Sequence, residues 1–192
     1  FIHPLLATEK GSTTAIFENA KVLFTNQIID QPSQLMPICS ELAKQGITRL
    51  VIFARMFNFT IYPFIITNRR QQLVNGQGFH ILAIPFPTAD EVMQDYALAC
   101  GGKFVDTNQN RGGEMKVEEI KVEDLGEVPK VVSQRFGDVG KTFVFLKRQD
   151  KDGNWLDNPA LKYQFERLKN DLKFEKPGGK LYTKIQKRIG AL

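Results

Sequence analysis

Apolar positions along this chain recur with two periods, and the two alternate. A strand-like run spans Ala20 to Thr25. Ser33 then reads as the cap of a helix that runs to Lys44 and stops at Gly46, with Leu35, Ile38, Cys39 and Leu42 at i, i+3, i+4 and i+7 making one buried face. Met36 and Ala43 lie off that stripe, and Pro37 is placed in the first turn, where a missing N–H costs least. Arg49 to Ala54 is a buried strand. From Asn58 to Arg70 the pattern supports both periods: Phe57, Phe59 and Ile61 alternate, while Ile61, Phe64, Ile65 and Asn68 keep helical spacing. A helix starting near Thr60 is preferred, followed by a turn or exposed loop over 71–78.

Phe79 to Ile84 reads as a strand. Thr88 with Glu91 makes a capping box for a helix to Cys100, ended by Gly101-Gly102. Lys103 to Asp106 is a short strand and 107–114 a polar loop. Val117 to Val122, Lys130 to Ser133 and Lys141 to Lys147 are strand-like. Asn158-Pro159 starts a helix with Leu161, Phe165, Leu168 and Leu172 on one face. After Gly178-Gly179 a last basic helix carries Leu181, Ile185 and Ile189. The order implies an α/β first half with parallel pairing, then antiparallel strands and terminal helices.

At 192 residues the chain suits one domain over 1–192, with the helices of about 158–190 packing on it. The 24% of charged residues argues against disorder, and no apolar run is long enough to span a bilayer. A net charge of +5 permits an acidic partner without demanding one. Cys39 and Cys100 read as reduced, buried thiols of a cytoplasmic protein, with a single disulfide left open.

The sequence offers little catalytic chemistry. His3 and His80 lack metal-ligand spacing with the cysteines, and His80 reads as structural. Gly140-Lys141-Thr142 imitates the end of a phosphate-binding loop, but Arg135 stands where the earlier glycine is required and a strand follows. Asn58-Phe59-Thr60 fits a glycosylation acceptor by chance. No nucleophile–base pair stands out.

An ordered series of segments resembles the apical, polypeptide-binding domain of bacterial-type (GroEL family, group I) chaperonins. It comprises Val22-Leu23-Phe24-Thr25; Leu35-Met36-Pro37-Ile38 with Leu42-Ala43-Lys44-Gln45-Gly46; Leu50-Val51-Ile52-Phe53-Ala54; and Ile65-Ile66-Thr67-Asn68 with Arg70. Ala99-Cys100-Gly101-Gly102-Lys103-Phe104-Val105, Glu123-Asp124-Leu125-Gly126 with Lys130-Val131-Val132, and the tail from Lys180 to Ala191 continue it. Ile2-His3-Pro4-Leu5-Leu6 is similar to the apolar segment that leads into that domain.

The resemblance implies a mixed three-layer fold: a β-sandwich-like core flanked by helices, with two exposed helices bounding an apolar groove. It implies binding of unfolded or misfolded polypeptides by Phe1, Leu5, Leu6, Met36, Cys39, Ile61, Ile65, Ile66, Asn68 and Arg70. It further implies no catalysis and no cofactor in this piece, with ATP and magnesium serving a separate equatorial domain of a longer ATPase. A cytoplasmic homo-oligomeric ring, with a cochaperonin lid as a further partner, goes with that longer protein. The piece alone is expected to be monomeric, without membrane or nucleic-acid partners.

Departures are plain. Arg55-Met56-Phe57-Asn58-Phe59 replaces an acidic, glycine-bearing stretch, Pro85-Phe86-Pro87-Thr88 replaces a basic glycine-rich loop, and 71–78 looks inserted. They mark a divergent member, of a kind a virus could encode, acting in the host cytoplasm. The rival reading is a basic nucleic-acid-binding module built on Lys184, Lys187, Arg188, Arg69, Arg70 and the 15 phenylalanines.

Overall fold

A computed structural model describes residues 1–9, 11–107, 115–137 and 139–192. The strands are β1 (Thr14–Ile29), β2 (Arg49–Phe57), β3 (His80–Pro85), β4 (Phe104–Val105), β5 (Gly126–Phe136) and β6 (Val139–Phe145). The helices are α1 (Pro32–Lys44), α2 (Tyr62–Asn75), α3 (Asp90–Ala99), α4 (Pro159–Lys173) and α5 (Lys180–Ala191). One mixed sheet runs β3-β2-β1-β5-β6, with β4 joined to the far end of β1. β1, β2, β3 and β4 are parallel, whereas β5 and β6 are antiparallel additions. The expected α/β class with a mixed sheet and flanking helices stands.

The crossovers place the helices. β1-α1-β2 and β2-α2-β3 step in one direction along the sheet, so right-handed connections put α1 and α2 on one face. The return from β3 through α3 to β4 puts α3 on the other. Phe24 and Phe53 stack at 4.5 Å on that second face, and Tyr96 of α3 lies over Phe24 and edge-on to Phe86. Leu23, Ile52, Leu50 and Leu82 are fully buried in the sheet. Each such side chain contributes roughly 1.5–3 kcal/mol.

Several elements differ from the sequence expectation. β1 begins at Thr14, because its N-terminal half pairs with β5 from Thr14–Gln134 to Val22–Gly126, a partner that local pattern cannot reveal. α1 begins at Pro32, so Pro37 lies in the second turn and Ser33 is not the cap. The Gln34 side chain instead accepts the N–H groups of Asp30 and Gln31. α3 starts at Asp90 without a side-chain cap, so Thr88 and Glu91 form no capping box. The stretch 117–122 is not a strand but lies in two 3-10 turns, Val117–Glu119 and Val122–Asp124. The loop expected at 107–114 lies, past Thr107, outside the described residues.

Other local readings survive. Asn158 caps α4 by accepting the Leu161 N–H at 3.0 Å. Gly101 ends α3 with φ +78°, and a Cβ on Gly102 would lie 2.3 Å from the Gly126 nitrogen, so the double glycine serves both a turn and a close crossing. Gly140-Lys141-Thr142 lies within β6, not ahead of a helix. Both cysteines are buried free thiols, and burial pushes each up to about 12.

Candidate apolar binding face

The stretch beginning at Thr60 is helical, through a 3-10 turn Phe59–Ile61 and then α2. α2 runs on through the expected turn to Asn75, where Gly76 at φ +72° stops it. Two stripes therefore share this helix. Ile61, Ile65 and Arg69, spaced by four, point inward; Ile65 and Ile61 have no exposed surface. Ile66, Arg70 and Leu73, at i, i+4 and i+7, form the outward stripe.

This division corrects half of the groove expectation. Phe1, Leu6, Cys39, Ile61 and Ile65 belong to the core. Cys39 lies on the inward stripe of α1 with Leu35, Ile38 and Leu42, where helical spacing alone would put it. Leu6 is the buried residue of the 3-10 turn Pro4–Leu6. The five are at most 9% exposed. Met36 is 53% exposed, Arg70 is exposed, and Leu5, Ile66 and Asn68 are half-buried. Asn68 donates to the Phe64 carbonyl one turn back, which occupies part of its amide.

The exposed apolar set also holds residues that the sequence reading passed over. Leu73 and Phe59 are 56% and 80% exposed, and the Phe59 ring packs 5.3 Å from that of Tyr62. Ile28 and Met56, register partners at the ends of β1 and β2, are both exposed. Leu73 escaped because α2 was expected to end near Arg70. Its spacing of seven from Ile66 was the available signal.

A buried polar clamp joins the N-terminal segment to α2. Arg69, 6% exposed, donates through Nη2 to the Ala7 carbonyl at 3.0 Å, through Nε to Leu5 O at 3.4 Å and through Nη1 to Gln72 Oε1 at 2.7 Å. His80 of β3 donates its Nε2–H to Leu6 O at 2.9 Å and packs on Phe17. Burial, then the Arg69 charge, lowers its pKa to about 3, so the imidazole is neutral. Beside this clamp a cleft of about 420 Å³ is lined by Pro4, Leu5, Ala7, Arg69 and Leu73. Such a wall can hold an apolar side chain but has no paired acid and base. Among the described residues no group of three His, Cys, Asp or Glu could hold a metal ion, and no helix is long and apolar enough to cross a membrane.

No protein-family model matches the chain. Chaperonin GroEL 1 of Prochlorococcus marinus (strain MIT 9515) is 24% identical over 196 residues, covering 98% of this chain and 30% of that protein. Chaperonin GroEL of Acholeplasma laidlawii (strain PG-8A) is 27% identical over 139 residues, covering 70% of this chain and 24% of that protein. Chaperonin gp146 of bacteriophage EL 2 (Pseudomonas aeruginosa), solved in the presence of ATP-BeFx, has the same fold: TM-score 0.67 at 12% identity, covering all of this chain and 34% of that one. The likeness to GroEL-type chaperonins holds. The sequence relatives and the structural neighbour are all chaperonins, and the structural neighbour shares the fold. This chaperonin-like chain spans about a third or less of the length of those relatives. α1, α2 and the N-terminal segment are the elements that carry the residues expected, from the sequence resemblance, to bound a groove.

Proposed function

We propose that this chain is the apical domain, over 1–192, of a longer ATP-driven chaperonin, and that it binds non-native polypeptides on the face carrying α1, α2 and the N-terminal segment. The observation that carries the reading is apolar exposure at the family-matched positions Leu5, Met36 and Ile66, extended by Leu73. Non-native chains present apolar side chains in no fixed sequence, so their receptor needs apolar area and few specific polar demands. Roughly 25 cal/mol per Å² of covered apolar surface gives useful affinity while ordering costs keep it reversible. Met36 adds a flexible, polarizable contact. Asn68 and Arg70 would serve the rim.

ATP and magnesium belong, on this reading, to a part of the longer protein outside these residues, and the chain by itself is not an enzyme. The longer protein would form a homo-oligomeric ring in the cytoplasm and could take a cochaperonin lid. The test is capture of a chemically unfolded client, read as suppression of its aggregation. Met36→Ser with Ile66→Ser is expected to weaken capture several-fold while the melting temperature stays within about 3 °C, as surface changes do. Undiminished capture by the double variant would sink the reading. Ile65 is unsuited to this test, because its substitution would open the core.

A further inference from the structure

The part of this face built by α2 and the N-terminal segment has an unbalanced charge, unlike α1, which packs against the turns that carry Glu118, Glu119 and Glu123. Between Glu41 and Asp90 the sequence contains no Asp or Glu, yet it holds Lys44, Arg49, Arg55, Arg69 and Arg70. Residues 1–8 add no acid either. Lys44 is matched by Glu41 and Arg55 by Asp90, at the far ends of their elements. Arg49, Arg69 and Arg70 have no carboxylate within ion-pair reach among the described residues. Among the described residues that line the apolar cleft, Glu9 at its rim is the one acid. Neither α1 nor α2 carries an acidic residue in its first turn to offset the positive end of its dipole.

The cations act on one another's surroundings. His3 is held below its usual pKa by burial and by the charges of Arg135 and Arg70, and Arg69 likewise by burial and by Arg49. Arg70 sits one turn beyond Ile66 on the outward stripe of α2, where its charge meets whatever covers that isoleucine. An occupant with its own cations would meet uncompensated like charge; one with carboxylates would not.

We infer that this face selects among apolar segments: it takes those in which Asp or Glu flanks the apolar residues and rejects those flanked by Lys or Arg. The inference rests on the polypeptide-binding reading above and names its substrate class. Affinity comes from the apolar contacts and selectivity from the arginines. Because Arg70 is exposed, the selectivity must weaken as salt screens it.

Two fluorescent peptides sharing one apolar core, flanked by glutamates in one and by lysines in the other, test it by anisotropy against the whole chain. The glutamate peptide is expected to bind on the order of tenfold tighter at low salt, the sum of a few exposed charge contacts, with the gap closing at high salt. Arg70→Glu should narrow or reverse the order, with Arg70→Gln intermediate and the melting curve unchanged. Equal binding of both peptides, or tighter binding of the lysine peptide, overturns the selectivity and leaves polypeptide binding intact. If neither peptide binds, the underlying reading falls too.

Discussion

Two buried polar clamps fix the periphery of this molecule to its sheet, and they are made differently. On the α2 side, Arg69 and His80 hold the N-terminal segment by its backbone carbonyls: a cation and a neutral ring donating to neutral acceptors. On the α3 side, Asp95 binds Arg188 of α5 through two hydrogen bonds, 2.6 and 2.7 Å, and accepts from Gln164 of α4 at 2.7 Å. Asp95 and Gln164 are almost wholly buried. The first clamp leaves a positive charge uncancelled beside the apolar face. The second cancels its charges and ties three helices through one carboxylate. The sequence as a whole follows the same division, though with the sign placed elsewhere. Residues 159–192 carry nine basic and three acidic side chains, a net +6, so the other residues together carry a net −1. The overall basicity therefore belongs to α4 and α5, whereas the α2 side of the apolar face owes its positive character to the local lack of acids.

The clamps should break unequally. Asp95→Ala leaves the buried Gln164 amide and the half-buried Arg188 guanidinium without their acceptor, which costs about 3 kcal/mol, the lower end for a broken buried pair. Arg69→Met removes donors from carbonyls of a segment that is only partly covered, and replaces the charge with an apolar stem. A loss of roughly 1.5–3 kcal/mol is expected there, the worth of hydrogen bonds from a charged donor. Urea unfolding of both variants checks the order. Hydrogen exchange should show the difference in place, with α5 losing protection in the first variant and residues 2–7 in the second. Equal losses, or a larger loss at Arg69, would mean that the carbonyl clamp, not the ion pair, is the stronger tie.

What the sequence made legible follows the range of the cause. α1, β2, β3 and α4 were readable because periodicity and caps are local: Leu35, Ile38, Cys39 and Leu42 face inward as their spacing requires, and Asn158 caps as its type requires. The start of β1 at Thr14 was not, because it depends on β5 more than a hundred residues away. The candidate face was readable as a set of elements and unreadable as a set of side chains. Family matching placed Ile61, Ile65 and Ile66 together, but a helix turns 100° per residue, so neighbours in sequence face different solvents. Ile65 is core and Ile66 is half-exposed for that reason alone. Neither clamp was foreseen, since Arg69, His80, Asp95 and Arg188 have no local signature that pairs them.

The smallest expected effect separates the clamps by pH. His80 is buried with its pKa lowered to about 3, whereas an unfolded histidine titrates near 6.5. A depressed folded pKa means that the unfolded state takes up the proton first as pH falls. Stability is thus complete above about pH 6.5 and declines below it, by about 1.4 kcal/mol per pH unit, until the folded pKa is reached. Between pH 6.5 and 5 the chain should lose roughly 2 kcal/mol on this account. His80→Gln, which keeps a donor for the Leu6 carbonyl, should flatten that slope. His3 is also lowered, by burial and then by the charges of Arg135 and Arg70, so a His3→Gln control removes its share. Urea midpoints at the two pH values decide the matter. If the wild-type slope survives in His80→Gln, the N-terminal segment is not held by a neutral imidazole, and the contrast between a carbonyl clamp and an ion-pair clamp loses its chemical basis.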